Sequence, residues 1–148
     1  MNIIIITVQD IIVNWKTMIN EQYTHSELTG QIIGAAMEVH SYLGNGFQEV
    51  IYQRALSYEL ELRNIMHARE VEMNITYKNI HVGTRRVDFL IAEKISVEIK
   101  ALSSLENVHL AQAINYLEAY NLQIGLLINF GENKLKFHRL ENKKYIKR

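Results

Sequence analysis

The stretch RVDFLIAEKISVEIKA, residues 86–101, predicts a β-hairpin that carries charged residues among apolar ones. A turn centred on Glu93 opposes apolar residues in pairs along one face of this hairpin. The pairs are Ile91 with Ile95, Phe89 with Val97, and Val87 with Ile99. A shift of the pairing by one residue would oppose apolar to charged side chains at every pair, so the pattern selects this register.

The other face of the hairpin carries the charges, with Asp88 opposite Glu98 and Arg86 opposite Lys100. The Cβ atoms of Asp88 and Glu98 are then about 4.5 to 5.5 Å apart, so the two carboxylates repel each other. A divalent cation relieves this repulsion, and oxygen ligands favour Mg²⁺ or Mn²⁺ over zinc. Lys100, on the same face, can hold an attacking water or a developing negative charge. Alternatively, these residues form a solvated ion-pair lattice on an exposed sheet face.

Hydrophobic periodicity predicts two helices before the hairpin. The first follows Ser26, a candidate N-cap, and ends at the segment LGNG. Its apolar positions are Leu28, Ile32, Ile33, Ala36, Val39 and Leu43. The second helix lies in FQEVIYQRALSYELELRN. Its predicted apolar stripe is Ile51, Ala55, Tyr58 and Leu62.

The rest of the chain combines strands with one further helix. VEMNITY repeats apolar residues at every second position, which is typical of a strand, and an extended run leads from His81 into the hairpin. Helical spacing returns in SLENVHLAQAINYLEAY, and the runs QIGLLINF and KLKFHRL have the length of strands. The predicted order is α-α-β-β-β-α-β-β, an α/β fold with a central mixed sheet flanked by helices.

The length of 148 residues fits one compact domain. We expect this domain at residues 26–148 and an N-terminal extension at residues 1–25 that packs on it. The extension is apolar but lacks the run of about 20 apolar residues that a membrane span requires, so no membrane partner is expected. The absence of cysteine excludes disulfides, thiolate zinc sites and cysteine nucleophiles, and it favours a cytoplasmic location.

The charge balance limits how the chain binds nucleic acid. Sixteen basic and sixteen acidic residues give a net charge of zero, which argues against a protein that grips nucleic acid over its whole surface. The final segment LKFHRLENKKYIKR is nevertheless basic. It is either a solvated tail or a phosphate-binding patch.

Asp88 and the Glu-x-Lys motif of residues 98–100 resemble the signature of the PD-(D/E)XK nuclease superfamily. That superfamily has a restriction-endonuclease-like core with the order α-β-β-β-α-β, which the predicted order of this chain contains. One position departs from the signature, because Val87 rather than proline precedes Asp88. This position varies within the superfamily, so the departure does not remove the resemblance.

Two further motifs narrow the resemblance. Gln112 and Tyr116 in AQAINYL resemble the Q-x-x-x-Y signature of the RecB and lambda-exonuclease-like branch of the superfamily. Gly46, Glu49 and Tyr52 in GFQEVIY match the GxxExxY motif, which names a family of small bacterial and archaeal proteins placed in the same superfamily. The matches together extend from the first predicted helix to the last predicted strand.

The resemblance implies roles for the residues around the hairpin. Asp88, Glu98 and the main-chain carbonyl of Ile99 would bind Mg²⁺ or Mn²⁺. Glu49 would supplement this metal shell, and Lys100 would orient or activate the hydrolytic water. Glu49 also has a structural alternative, because a carboxylate near the start of a helix is favoured by the helix dipole whatever the function.

The resemblance also implies residues that contact the substrate. Gln112 and Tyr116 are four apart, so they share one helix face and would line the cleft. Arg86, Tyr52 and His40 are further candidates for substrate contact. Packing alternatives stay open, because a helical tyrosine or histidine is more often a structural residue, and Gln112 with Tyr116 could cap polar edges of a packed helix.

The function implied by the resemblance is that of a Mg²⁺-dependent phosphodiesterase, a deoxyribonuclease that leaves a 5′-phosphate and a 3′-hydroxyl. Its expected partner is nucleic acid, with DNA favoured over RNA. A homodimer stays open, because nucleases that cut both strands are commonly dimers. The alternative is a catalytically silent module that keeps the nuclease scaffold and binds nucleic acid or protein.

Overall fold

The structure is a computed structural model, and it describes residues 25–148. The elements in chain order are α1 (Ser26–Leu43), α2 (Glu49–Leu62), β1 (His67–Tyr77), β2 (Ile80–Ile91), β3 (Ile95–Lys100), α3 (Asn107–Tyr120), β4 (Ile124–Asn129) and β5 (Lys136–Glu141). This order confirms the predicted α-α-β-β-β-α-β-β arrangement. The predicted N-terminal extension lies outside the described residues, apart from His25.

The five strands form one mixed sheet in the order β1-β2-β3-β4-β5. Strands β3 and β4 are parallel and are connected through α3, whereas the other neighbouring pairs are antiparallel. Helices α1 and α2 pack on one face of the sheet, and α3 packs on the other. The predicted α/β fold with a mixed sheet between helices is therefore confirmed.

The predicted register of the β2–β3 hairpin is correct next to the turn. Ile91 pairs with Ile95, and Phe89 pairs with Val97. The turn uses left-handed backbone at Ala92 and Glu93, with φ of 51° and 58°. The predicted continuation is wrong, because the β2–β3 pairing ends at Phe89 and Val97. The two strands therefore separate where the charged residues begin.

Helix α1 buries the predicted stripe, since Ile32, Ala36 and Val39 belong to the large apolar cluster that α1 and α2 form with the sheet. Its N-cap is His25, so the prediction of Ser26 as N-cap was wrong by one residue. Ser26 is instead the first helical residue, and its carbonyl accepts a hydrogen bond from the Thr29 hydroxyl.

Helix α2 buries a different face from the one predicted. Its buried residues are Tyr52, Gln53, Leu56, Ser57 and Leu60. Three members of the predicted stripe, Ile51, Tyr58 and Leu62, are exposed. Two rows of apolar residues run along this helix, and both have helical spacing, so periodicity could not decide between them. The buried row includes Tyr52, whose ring stacks on Phe130 with centroids 4.7 Å apart.

Asn129 joins the loops that follow β3 and β4. Its side chain is fully buried, and its Oδ1 accepts hydrogen bonds from the backbone N–H groups of Leu102 and Gly131 at 2.9 and 3.2 Å. Its Nδ2 donates to the Leu102 carbonyl and to a carboxylate oxygen of Glu132, both at 2.9 Å. Since Asn129 is the β4 partner of Lys100, this network fixes the end of β3 that carries the predicted catalytic lysine.

We predict that Gly131→Ala destabilises the fold by at least about 2 kcal/mol, because a Cβ at Gly131 would overlap the backbone N and O of Leu102. Urea unfolding measures this effect. Gly30→Ala is the control, since no atom lies within 4 Å of a Cβ there, and an exposed helical alanine should stabilise α1 by roughly 0.5–1 kcal/mol. Equal unfolding midpoints for the two variants would contradict the tight loop junction.

Candidate active site

Asp88 lies where β2 and β3 separate. Its Oδ2 accepts a hydrogen bond of 2.8 Å from the backbone N–H of Ile99, so the side chain replaces the main-chain partner that a continued ladder would supply. The β1–β2 ladder also omits Asp88, together with Glu70, whose backbone is left-handed with φ of 52°. The carboxylate therefore occupies the gap between the strands.

Helix α2 holds the other oxygen of Asp88. Gln53 Nε2 donates a hydrogen bond of 3.0 Å to Asp88 Oδ1, and only 7% of Gln53 is exposed. The two hydrogen bonds come from different elements and fix the orientation of the carboxylate. No sequence motif marks Gln53, because its burial and its contact with Asp88 follow from the packing of α2 on the sheet.

The side chain of Glu98 interacts with that of Asp88, although the two strands no longer pair at this point, and only 9% of Glu98 is exposed. Burial, with smaller contributions from the neighbouring charge of Asp88 and from a hydrogen bond with the Asp88 side chain, raises the pKa of Glu98 to about 8. The positive charges of Lys100 and Arg85 act in the opposite direction and offset part of this rise in pKa. Within residues 25–148, Glu98 Oε1 is buried without a hydrogen-bond partner. Such an oxygen is costly to the fold unless a ligand uses it.

Strands β2 and β3 each carry a positively charged side chain that acts on the acid pair. Lys100, the last residue of β3, is half-buried and acts electrostatically on Glu98. Arg85 on β2 does the same, and its Cζ lies 4.6 Å from the centroid of the Tyr116 ring on α3. This cation–π contact holds the guanidinium near the acids. Gln112, one turn before Tyr116, is half-buried on the same helix.

Arg85, and not the predicted Arg86, is the β2 arginine that acts on Glu98. Regular alternation along β2 places Arg86 on the same face as Asp88, which is why it was preferred. The β1–β2 ladder skips the pair Glu70–Asp88, and Glu70 has left-handed backbone, so alternation cannot be extended through this point. Arg86 is exposed, and its predicted contact with substrate stays a prediction.

Glu49 is the first residue of α2 and is exposed. Across residues 25–148, no three acidic or histidine side chains converge closely enough to form a metal-binding group. The structure thus brings Asp88 and Glu98 together without adding Glu49 as a third ligand. The position of Glu49 suits the helix dipole, and its metal-binding role stays a prediction.

Tyr52 and His40 make packing contacts instead of facing the acid pair. Tyr52 is fully buried, and its hydroxyl donates to the Gly44 carbonyl at 2.6 Å and accepts from the Phe47 N–H at 3.1 Å. His40 Nε2 lies 2.9 Å from the carbonyl oxygen of Glu132, in the loop after β4. Both observations favour the packing alternatives, and Tyr52 has no surface to offer a substrate.

The donor set of the site suits a hard divalent cation. Two adjacent carboxyl groups, one with a buried oxygen that lacks a partner in the described chain, match the oxygen ligands that Mg²⁺ and Mn²⁺ prefer. The Ile99 carbonyl is a candidate third ligand, because the N–H and C=O of one strand residue point to the same side and this N–H meets Asp88.

We predict that the wild type loses stability between pH 5 and 8.5 in EDTA and that the Glu98→Gln variant does not. The folded-state pKa of about 8 exceeds the ordinary value of 4.5. The stabilisation from protonated Glu98 is therefore complete below pH 4.5 and is lost as the pH rises through 8. Glutamine imitates the protonated acid at every pH.

The free energy of unfolding of Glu98→Gln should exceed that of the wild type increasingly as the pH rises, by on the order of a few kcal/mol at pH 8.5. Urea unfolding at several pH values measures this difference. Glu61→Gln, an exposed change on α2, is the control and should follow the wild type. Parallel stability curves for Glu98→Gln and the wild type would contradict a strongly buried Glu98.

Three comparisons with known proteins bear on the identity of this fold. The crystal structure of SSO0001 superposes with a TM-score of 0.50 at 22% sequence identity; the match covers 62% of this chain and 48% of that chain, so it spans about half of the solved protein. No curated protein matches the sequence.

Within residues 25–148, no helix is long and apolar enough to cross a membrane.

The third comparison covers most of the domain. A family model described as the PD-(D/E)XK nuclease superfamily matches residues 26–140. The matched range contains both acids of the pair, Lys100, and every helix of the described structure. The chain belongs to the PD-(D/E)XK nuclease superfamily.

Proposed function

We propose that the chain is a metal-dependent nuclease that hydrolyses phosphodiester bonds in nucleic acid, with DNA as the expected substrate. One observation carries the proposal: Glu98 is nine-tenths buried beside Asp88 and keeps a buried oxygen without a partner among the described residues. A fold gains nothing from such an arrangement by itself. Strongly perturbed acids of this kind are typical of functional sites.

Asp88, Glu98 and the Ile99 carbonyl would hold Mg²⁺ or Mn²⁺, with Glu49 as a supplementary ligand. When bound, the ion would lower the pKa of a water molecule and neutralise charge on the phosphate. Gln53 and the Ile99 N–H hold the two oxygens of Asp88, which supports this role by fixing the orientation of the carboxylate.

Two cations of the chain would act on the substrate. Lys100 would orient the attacking water or stabilise charge that develops on the phosphate, since it lies at the edge of the acid pair. Arg85 would bind a phosphate group next to the scissile bond. Its stacking on Tyr116 limits its rotamers before the substrate arrives, which reduces the entropy cost of binding.

A second candidate function is a binding module that keeps the nuclease scaffold without catalysis. Two observations favour it: the net charge of zero, and the absence of a converged group of three metal ligands in residues 25–148. This candidate predicts binding of nucleic acid or protein without metal-dependent cleavage.

We predict that the purified protein cuts nucleic acid in Mg²⁺ or Mn²⁺ but not in EDTA, and that Lys100→Ala lowers the rate by roughly a hundredfold or more. Plasmid, linear duplex, single-stranded DNA and RNA should each be tested, with analysis for 5′-phosphate ends. Lys94→Ala is a matched control, because Lys94 is exposed in the turn that precedes β3, at the opposite end of the strand. It should keep full activity.

Two outcomes would contradict the nuclease proposal. Cutting that persists unchanged in Lys100→Ala would come from a contaminant. A protein that cuts none of the four substrates with either metal would be the binding module.

We further predict that Arg85→Ala weakens binding of nucleic acid more than Arg86→Ala does, because Arg85 is held beside the acids. Binding can be measured in the Lys100→Ala background over a range of salt concentrations. Loss of one phosphate contact should reduce the slope of the logarithm of the binding constant against the logarithm of salt concentration by about 1. A larger effect from Arg86→Ala would contradict the role of Arg85 and support the prediction that Arg86 contacts the substrate.

A further inference from the structure

We infer that Gln53 is a positioning residue of the active site, whose amide fixes Asp88 for metal binding. This inference rests on the proposed function and assigns to Gln53 a role within that same site. No motif of the sequence includes this residue, and its position became clear only from its contact with Asp88.

Asp88 is held from two sides. Gln53 Nε2 donates to Oδ1 and the Ile99 N–H donates to Oδ2, so one donor comes from the helix and one from the sheet. With only the Ile99 bond, the carboxylate could still rotate about its own axis toward Glu98. Two donors on two oxygens remove that freedom and leave the remaining lone pairs in a fixed direction.

The helix donor to Asp88 is an uncharged amide. An arginine or lysine at this position would neutralise Asp88 and compete with a divalent cation for it. An amide donates a hydrogen bond without a formal charge, so the negative charge of the acid stays available to a metal. Only 7% of Gln53 is exposed, and a buried amide without hydrogen-bond partners destabilises the fold. The hydrogen bond to Asp88 therefore also satisfies the buried amide of Gln53.

Glu49 is on the same helix as Gln53. It lies four residues before Gln53 on α2, and residues at this spacing share one helix face with Cβ atoms about 5–6 Å apart. Gln53 thus lies on the helix face that carries Glu49, although in residues 25–148 Glu49 does not converge with Asp88 and Glu98 into a metal-binding group.

Helix α2 offers a matched control one turn further on. Ser57 is 8% exposed, and its Oγ lies 2.8 Å from His67 Nε2 on β1. This contact also joins α2 to the sheet through a buried polar side chain, but it does not involve the acid pair. Removing it should affect the stability of the helix docking without affecting the metal ligands.

The test compares Gln53→Met, which keeps the size of the side chain and removes the donor, with Ser57→Ala. Calorimetric titration of Mn²⁺ into each protein, without nucleic acid, measures metal affinity. We expect Gln53→Met to weaken Mn²⁺ binding by about ten- to a hundredfold, as for other groups that orient metal ligands, and Ser57→Ala to bind Mn²⁺ like the wild type. Gln53→Ala gives a second reading should the Met variant fold poorly.

A second measurement requires no metal. Unfolding in EDTA of the single variants Gln53→Ala and Asp88→Ala and of the double variant forms a double-mutant cycle. A positioning role through Asp88 predicts that the two effects are strongly non-additive. The matching cycle of Ser57→Ala with Asp88→Ala should be additive.

The outcomes separate this inference from the proposed function. A wild type that binds no Mn²⁺ would overturn the nuclease proposal and the positioning role with it. Equal Mn²⁺ affinities for the wild type and Gln53→Met, or an additive cycle with Asp88, would overturn only the role of Gln53.

Discussion

The hydrogen bond from the Ile99 N–H to the Asp88 carboxylate is the interaction on which the site depends. It satisfies a main-chain donor that the diverging strand β2 no longer reaches, so the sheet can open without leaving that donor unpaired. It also brings a carboxylate into the gap and holds it next to Glu98. The acid pair thus forms at the point where the pairing of β2 with β3 ends.

The strands around this gap make the arrangement rigid. On β3, Ile95, Val97 and Ile99 point into the large apolar cluster under α1 and α2, so alternation forces Glu98 to the opposite face. Slippage of β3 is prevented on its other side by parallel pairing with β4 over its full length. The core therefore holds Glu98 in a position that its own electrostatics disfavour, and the raised pKa is the consequence.

Sequence patterns predicted the order of elements, the mixed sheet and the hairpin register next to the turn, because these follow from local periodicity and from the burial of paired apolar residues. They failed where the choice depended on tertiary contacts. Helix α2 has two apolar rows, so only packing against Phe130 and the sheet identifies the row of Tyr52 and Gln53 as the buried one. Arg85 was missed because the gap in the β1–β2 ladder at Glu70 and Asp88 cannot be deduced from strict alternation.

The most direct test of the metal site is anomalous diffraction from crystals soaked in Mn²⁺. A peak within about 2.5 Å of carboxylate oxygens of both Asp88 and Glu98 is the result expected for a cation held between the strands. The same crystals would show whether Glu49 joins the shell. A peak bound elsewhere, or none in the gap at saturating Mn²⁺, would contradict the account.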